Sequence, residues 1–235
     1  MNELIDIVAV DFFPFTCLPR AAQRVISISQ PEALRSSVSA GDEQARRTDR
    51  ADAAHRRHII TRAVAAQLLR AYGVADTTVP IGADRAPQWP HGFVGSITHT
   101  ARFAAVAVMP RSMARSVGID AECELVFGQE QLVRKYCLVD QEFDTLYGGD
   151  SSLSATQISA LCFSAKEAVF KCLYSLVNHY FDFTCVRIMK IDEGTNTLSI
   201  NVLDGAIARC VGTTELTGSY RFIEGHIFTA VRLTA

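Results

Sequence analysis

One order of secondary-structure patterns occurs twice along this chain and restricts its fold more than any single motif does. Helical periodicity over Ala53–Tyr72 is followed by strand-like runs at Phe93–Thr98 and Arg102–Met109. After another run at Val117–Glu122, a longer helical pattern over Ser154–Asn178 precedes further strand-like segments, at 183–191, 196–203, 219–224 and 226–233. Helical and strand-like periodicities mixed in this way predict the α+β class. The repeated order, once on each side of residue 117, indicates two similar halves.

The composition is that of a soluble globular protein and excludes several other classes. The 235 residues are 49% apolar and 20% charged, a balance that excludes intrinsic disorder. The longest apolar runs, such as Ala104–Met109, are far shorter than the ~18 residues of a membrane span. Because Met1–Asp11 contains Glu3 and Asp6 and no basic region, it does not read as a signal peptide.

The cysteines indicate the redox environment. There are seven, an odd number, without any C-x-x-C spacing, and several lie in apolar helical or strand-like segments. This usage is typical of reduced core thiols in a reducing compartment. We therefore expect a cytoplasmic protein.

Charge is nearly balanced over the whole chain but is segregated along it. The formal net charge of −2 provides no overall basic field, so neither nucleic acid nor a membrane is expected as a partner. Residues 46–62 hold six arginines against two aspartates, whereas residues 120–150 hold eight acids against two basic residues. Either these are two solvated faces, or one segment binds an anion and the other a cation.

The first candidate site is a pair of acids on the strand-like run Gly118–Glu122. In an extended strand, Asp120 and Glu122 share one face and Ala121 points away. Two carboxylates on one face suit Mg²⁺, which takes one or two protein carboxylates together with phosphate oxygens and water. The alternative is a chance pairing, because D-x-E is common at strand ends.

The second candidate lies on the longest predicted helix. Ser164, Glu167, Lys171 and Tyr174 form a polar stripe between apolar stripes, as on a helix that lines a cleft. Two structural alternatives remain. Glu167 and Lys171 could be an ordinary surface pair four residues apart, and Ser164 with Glu167 also fits a capping box. Lysine is scarce, however, with only four in the chain.

A third candidate is the strand end Gly95–Thr100, where hydroxyls, backbone amides and His99 could hold phosphate. Upstream lie Arg85, on a proline-stiffened loop, and Arg57 and Arg62, on the first long helix. No segment matches the common phosphate-loop, dinucleotide, serine-hydrolase or zinc-protease motifs.

Taken in order, three segments resemble the 4′-phosphopantetheinyl transferases of the Sfp and enterobactin-synthetase component D type. They are Trp89–His99, Gly118–Glu122 and Phe163–Lys171. The resemblance covers residues 53–178 best. It implies an enzyme that transfers the phosphopantetheine arm of coenzyme A to a serine of an apo carrier protein and releases adenosine 3′,5′-bisphosphate.

The resemblance also implies an architecture and partners. The fold is expected to be an α+β pseudo-dimer of two similar halves, residues 1–117 and 118–235, with the active site between them. Coenzyme A is the expected substrate, Mg²⁺ the cofactor, apo acyl or peptidyl carrier domains the partners, and the protein a monomer. The remaining alternatives are another Mg²⁺-dependent phosphate-ester enzyme and a non-catalytic coenzyme A-binding module.

Site residues follow from the matched motif positions. The expected metal ligands are Asp120, the Ala121 carbonyl, Glu122 and Glu167. The expected coenzyme A contacts are Arg57, Arg62, Arg85, Thr98, His99, Asp120, Glu167 and Lys171.

Two residues are expected to be catalytic. Glu167 would deprotonate the carrier serine, directly or through a water, with a metal-bound water as the alternative base. Lys171 would stabilise charge on the diphosphate. The chain departs from the family at Arg85-Ala86-Pro87, where Arg-Glu-Pro is frequent, and the register of Arg56 against Arg57 is open.

Overall fold

The computed structural model of the chain describes residues 7–9, 13–28, 43–126, 128–148 and 151–234, with 7–9 and 43–52 described by their backbone only. Its strands form two antiparallel sheets, one of four strands in the order β1-β2-β4-β3 and one of five in the order β5-β9-β8-β7-β6. The strands of the first sheet are β1 (Ile7–Ala9), β2 (Gln23–Ile28), β3 (Phe93–His99) and β4 (Phe103–Pro110). Those of the second are β5 (Ser116–Cys123), β6 (Val186–Asp192), β7 (Thr197–Val202), β8 (Glu215–Ile223) and β9 (His226–Leu233).

Helices cover both sheets. The α-helices are α1 (Glu43–Ala71), α2 (Gln129–Cys137), α3 (Glu142–Tyr147), α4 (Ala155–Val177) and α5 (Gly205–Val211), and short 3₁₀ turns occupy Arg20–Ala22 and Phe183–Cys185. Separate antiparallel sheets with packed helices confirm the α+β prediction. None of the helices in the described part of the chain combines the length and hydrophobicity needed to cross a bilayer.

The longest helix of each half packs on its own sheet. On α1, Ile60, Val64 and Leu68 are buried against the β4 side chains Ala104 and Val106. Helix α4 is apolar on most of its surface and lies at the centre of the second core. Its fully buried residues include Ile158, Leu161, Ala165, Val169 and Leu173. It begins at a capping box formed by Ser154 and Gln157. Each half therefore has its own helix–sheet core.

Strand β5 joins the halves, because its free edge faces the edge strand β3 of the first sheet and contacts it through β3 side chains rather than through backbone pairing. The Ile119 amide donates to Ser96 Oγ at 3.1 Å, and the Ala121 amide donates to Thr98 Oγ1 at 3.1 Å. These hydroxyls accept hydrogen bonds from backbone amides that would otherwise donate to the carbonyls of a neighbouring strand. The Ile119 and Ala121 side chains pack into a core that includes Ala105 and other β4 residues. As the sequence predicted, Ala121 points away from the face that carries Asp120.

On the face of β5 that carries Asp120, the strand touches α4 directly at Gly118. A Cβ atom at this position would lie 1.9 Å from the Ala168 carbonyl oxygen and 2.5 Å from the Cys172 amide nitrogen. Since both obstacles are backbone atoms, no rotamer change can relieve the overlap. Gly118 thus sets how closely α4 approaches β5.

Replacing Gly118 with alanine is expected to push α4 away from β5 and to lower the free energy of unfolding by about 1–3 kcal/mol, the usual cost of overpacking. Urea unfolding followed by circular dichroism measures this. Gly205→Ala is the matched control, because its Cβ would meet only the end of the flexible Arg209 side chain, at 3.4 Å. Equal stability of the two variants would contradict the close packing at Gly118.

Several local predictions were wrong. For residues 36–50 the polar sequence indicated a loop or the approach to a helix; residues 43–50 are helical, because α1 extends to Glu43, and residues 36–42 lie outside the described residues, as does Asp150 of the loop predicted at Asp150–Ser154. Helix α5 was missed, and residues 183–185 form a 3₁₀ turn before β6 begins. All seven cysteines are free, but Cys123 and Cys210 are exposed and so are not core thiols. The chain passes from the first sheet to the second between Pro110 and Ser116, and a domain division at residue 117 stays a prediction.

Candidate active site

The centre of the site is Asp120, whose carboxylate is almost fully buried between the two halves. Thr98, from β3, donates to Oδ1 at 3.0 Å, and Ser164, from α4, donates to Oδ2 at 2.9 Å. Lys171, seven residues further along α4, places its Nζ 2.6 Å from Oδ1. Donors from both halves therefore hold one carboxylate in a single orientation.

Two structural alternatives for the α4 stripe are wrong. Lys171 pairs with Asp120 on β5 rather than forming a surface pair with Glu167. The capping box of α4 is at Ser154, so Ser164 does not cap this helix; its hydroxyl lies buried against Asp120. The stripe lines a cleft, as its polar character indicated.

Around Asp120 lies a cavity of about 560 Å³, here called the polar chamber. It collects most of the residues that the motifs singled out: Arg62, Arg85, Thr98, His99, Asp120, Glu122, Glu167 and Lys171. Segments far apart in sequence thus meet in one cleft. Of the expected contacts, Arg57 and Ala121 do not have side chains that line this chamber.

Glu122 and Glu167 line the polar chamber with Asp120, and within the described residues Lys171 offsets only part of their negative charge. Burial raises the pKa of Glu122 to about 7, and the charge of Asp120 adds to the shift while Lys171 opposes it. Burial also raises the pKa of Glu167; the positive charge of Lys171 opposes this shift, and the negative charge of Asp120 adds to it. Neither carboxylate has a hydrogen-bond partner among the side chains described. Two half-buried acids next to a third favour a bound cation.

Ala121 can contribute only its backbone to such a site. Its side chain is buried in the core between the sheets, and its amide points toward Thr98. In a strand the amide and carbonyl of one residue point to the same edge, so the Ala121 carbonyl also faces the β3 side. Within the described ranges, no three acidic, histidine or cysteine side chains lie close enough to hold a metal ion by themselves.

The α1 side of the chamber is basic. Arg62 lines it, and burial lowers the pKa of its guanidinium. The Nε atoms of Arg57 and Arg62 are buried without a hydrogen-bond partner in the described part of the chain. Burial lowers the pKa of His99, and the charge of nearby Arg57 adds to this effect. A buried guanidinium N–H without an acceptor is costly, so this wall is suited to an anion.

Arg85 reaches the chamber from the loop between α1 and β3. Its backbone has a φ of 68°, in the left-handed region that a non-glycine residue seldom adopts. The loop is held by hydrogen bonds from the Arg85 amide to the Gly82 carbonyl and from the Ala86 amide to Asp84 Oδ1. The strained backbone is therefore fixed by its neighbours, and the side chain is exposed at the chamber.

Beyond Lys171 the cleft continues into a second cavity of about 520 Å³, here called the aromatic chamber. Its wall includes Phe170, Tyr174 and Tyr180, with Pro87 and Ile97 opposite. The ring of Phe170 packs against both tyrosines, with centroids 5.4 Å and 5.6 Å away. The sequence analysis proposed no binding role for Phe170; its position one residue before Lys171 was the available signal.

The raised pKa of Glu122 predicts a specific pH dependence in the absence of divalent cations. An unfolded glutamate has a pKa of about 4.3, so between that value and about 7 the folded chain holds a proton at Glu122 that the unfolded chain has lost. Folding stability therefore falls as pH rises through this window.

Glu122→Gln removes this penalty. In EDTA, we expect its melting temperature to equal that of the wild type near pH 4.5 and to exceed it by roughly 2–4 °C at pH 8, after allowance for solvent screening of a partly exposed group. Differential scanning fluorimetry across this range measures the difference. Parallel curves for the two proteins would contradict a raised pKa of Glu122 in the folded protein.

Comparison with known proteins agrees with this arrangement. The profile of the 4′-phosphopantetheinyl transferase N-terminal domain matches residues 44–109, and that of the 4′-phosphopantetheinyl transferase superfamily matches residues 116–229. The 4′-phosphopantetheinyl transferase Npt of Nocardia iowensis is 28% identical over 229 residues, covering 92% of this chain and 97% of that protein.

Two further relatives align over shorter regions. Svp of Streptomyces mobaraensis, also a 4′-phosphopantetheinyl transferase, is 33% identical over 64% of this chain and 60% of its own length. Enterobactin synthase component D of Salmonella typhi is 36% identical over 48% of this chain and 46% of its own length. The two profiles meet at the junction of the two sheets and include every residue that lines the polar chamber. The chain therefore belongs to the 4′-phosphopantetheinyl transferase superfamily, enzymes that transfer phosphopantetheine from coenzyme A to carrier proteins.

Proposed function

We propose that this chain transfers the 4′-phosphopantetheine moiety of coenzyme A to a serine of an apo carrier protein, in a Mg²⁺-dependent reaction that releases adenosine 3′,5′-bisphosphate. The observation that carries the proposal is the 2.6 Å contact between Lys171 Nζ and Asp120 Oδ1 inside a cleft that Glu122 and Glu167 also line. A lysine beside clustered carboxylates suits a diphosphate held together with a divalent cation.

The two chambers differ in a way that orients coenzyme A. On one side of Lys171 lie Arg62 and His99, and Arg85 lines both chambers at their boundary; these side chains suit the 3′-phosphate of the adenosine end. On the other side lies the aromatic chamber, which suits the uncharged pantetheine arm. The diphosphate joins these two ends and would therefore lie at Lys171, which lines both chambers.

The residues at this point fit Mg²⁺. The donors that line the polar chamber are the carboxylate oxygens of Asp120, Glu122 and Glu167, and hard oxygen ligands are those that Mg²⁺ prefers. Mg²⁺ commonly takes only one or two protein carboxylates and completes its coordination with phosphate and water, so a complete protein cage is not required. Bound there, the ion would neutralise negative charge on the diphosphate.

Glu167 is our candidate for the general base. Burial raises the pKa of its carboxyl, which brings it closer to the working pH and makes it a stronger proton acceptor than an exposed glutamate. As the carrier serine oxygen bonds to the β-phosphorus, its proton passes to Glu167, directly or through a water. The bond from that phosphorus to the bridging oxygen breaks, and adenosine 3′,5′-bisphosphate leaves with the electron pair. Lys171 stabilises the charge that develops.

The test is incubation with coenzyme A, Mg²⁺ and a panel of apo carrier domains, read by intact mass. We expect a carrier to gain the mass of one phosphopantetheine, and its serine-to-alanine variant to gain none. Release of inorganic phosphate without any carrier modification would instead indicate a phosphohydrolase.

Arg62→Gln tests the proposed orientation of coenzyme A. Loss of a charge-assisted contact to the 3′-phosphate should raise the KM for coenzyme A by roughly 10–100-fold and raise that for 3′-dephospho-coenzyme A much less. Steady-state kinetics with both substrates measure the two values. Arg70→Gln, at an exposed position of the same helix, is the control and should change neither. Equal losses for both substrates in Arg62→Gln would contradict the assignment.

A further inference from the structure

The acceptor positions of the Asp120 carboxylate are unevenly occupied. An ionised carboxylate can accept about four hydrogen bonds, about two at each oxygen. Thr98 and Lys171 both approach Oδ1, at 3.0 Å and 2.6 Å, whereas Ser164 alone approaches Oδ2, at 2.9 Å, within the described residues. These contacts leave Oδ2 as the oxygen that is open to a further ligand. Its orientation therefore depends on the Ser164 hydroxyl.

The Ser164 hydroxyl is directed away from its own helix. A serine inside a helix commonly donates to the carbonyl four residues earlier. Ser159 of the same helix does so, with its Oγ 2.8 Å from the Ala155 carbonyl oxygen. Ser164 is fully buried and donates to Asp120 on β5 instead. The direction of this hydroxyl is thus set by partners outside α4.

The second of these partners is Thr229 on β9, a buried residue that the sequence analysis did not single out. It is the register partner of Asp120 in the sheet. Its Oγ1 lies 2.9 Å from Ser164 Oγ and donates to the Ser164 carbonyl at 2.9 Å. Because the negative charge of Asp120 attracts the Ser164 proton, the contact between the two hydroxyls takes its proton from Thr229, which shares it with the carbonyl. A hydrogen-bond chain therefore runs from Thr229 through Ser164 to Asp120.

We propose that Thr229 is a positioning residue, which acts through Ser164 to hold Asp120 Oδ2 in the orientation that binds a divalent ion. The inference rests on the proposed function, because it takes the ion to bind at Asp120 together with coenzyme A. Loss of a residue that orients a ligating side chain commonly weakens ion binding by about 10–100-fold. Without the Thr229 hydroxyl, Ser164 is free to turn its proton toward a carbonyl of its own helix, as Ser159 does.

The experiment is a double-mutant cycle on the Kd of Mn²⁺ with coenzyme A present, measured by electron paramagnetic resonance against a protein-free blank. Ser164→Ala removes the direct partner of Asp120 and should raise the Kd by about tenfold or more. Thr229→Val keeps the shape of threonine without its hydroxyl and should raise the Kd by roughly three- to tenfold.

The double variant distinguishes positioning from a merely structural role. If Thr229 acts through Ser164, Thr229→Val has nothing further to remove once Ser164 is alanine. The Kd of the double variant should then match that of Ser164→Ala within about twofold. Losses that multiply would instead show that the two residues act independently and would overturn the inference.

A conservative variant and a matched control complete the series. Thr229→Ser keeps the hydroxyl and should bind Mn²⁺ within about twofold of the wild type. Ser219→Ala removes a buried hydroxyl from β8 of the same sheet. Ser219 pairs with Ala230, so its side chain lies on the face opposite Thr229, where it accepts the Cys17 amide at 3.3 Å. This control should leave the Kd unchanged.

The outcomes separate this inference from the function on which it rests. Wild-type affinity in Thr229→Val would overturn the positioning role and leave transfer from coenzyme A established. Thr229→Ala, with a smaller side chain, replaces Thr229→Val in the cycle if the valine variant does not fold. Absence of both Mn²⁺ binding and phosphopantetheine transfer in the wild type would refute the proposed function, and the inference with it.

Discussion

Asp120→Asn is expected to reduce phosphopantetheine transfer by about a thousandfold or more while the protein stays folded. Asparagine has the shape of aspartate: its one carbonyl oxygen can still accept the hydrogen bond from Thr98, and its amide nitrogen can donate to the Ser164 hydroxyl, so the local packing is kept. What it loses is the charge that pairs with Lys171 and, under our proposal, that binds the metal ion. Lys171 would then be left without its partner, at the position where the diphosphate must lie.

Kinetics with saturating coenzyme A and carrier, together with circular dichroism and thermal unfolding, measure both parts of this prediction. The matched control is Asp144→Asn on α3, an exposed aspartate away from the cleft, which should leave transfer unchanged. Wild-type turnover in Asp120→Asn would show that this carboxylate is not part of the reaction centre.

The second large effect concerns Lys166, a lysine whose side chain is fully buried. Its ammonium donates to Glu142 Oε2, the Cys137 carbonyl and the Val186 carbonyl, each at 2.8 Å. Glu142 in turn accepts the Ile188 amide at Oε1, 2.7 Å away. One ion pair thus ties α2, α3 and β6 to α4, next to the catalytic candidate Glu167.

Lys166→Met should lower the free energy of unfolding by about 3–5 kcal/mol, because it leaves the Glu142 charge buried without a partner. Urea unfolding followed by fluorescence measures the loss. Lys190→Met is the control: its ion pair with Asp192 spans 3.4 Å at the surface and should contribute less than about 1 kcal/mol. If the two lysine variants had the same free energy of unfolding, the buried ion pair would not stabilise the fold more than the surface pair does.

Much of the site could be predicted because its residues lie on elements with regular spacing. Alternation along β5 correctly put Asp120 and Glu122 on one face, and helical periodicity correctly identified the polar stripe that carries Ser164, Glu167 and Lys171. Local pattern was sufficient here because each element keeps its period into the folded protein.

Contacts between distant elements could not be read in the same way. A buried lysine is rare, and nothing in the sequence around Lys166 distinguishes it from an exposed helical lysine until Glu142 is placed beside it. Thr98 was expected to contact a phosphate; that stays a prediction, and its hydroxyl proton is directed to Asp120 Oδ1. The aromatic chamber likewise exists only because α4 meets the loop before β3.

The central claim is that the carboxylates of β5 and α4 hold a divalent ion together with coenzyme A, and binding of Mn²⁺ in place of Mg²⁺ tests it most directly. The free Mn²⁺ signal in electron paramagnetic resonance, titrated with protein and coenzyme A against a protein-free blank, reports the ion bound. We expect one additional Mn²⁺ bound per wild-type chain with coenzyme A present, and none in Asp120→Asn. Equal binding by the two proteins, or none by the wild type, would contradict the account.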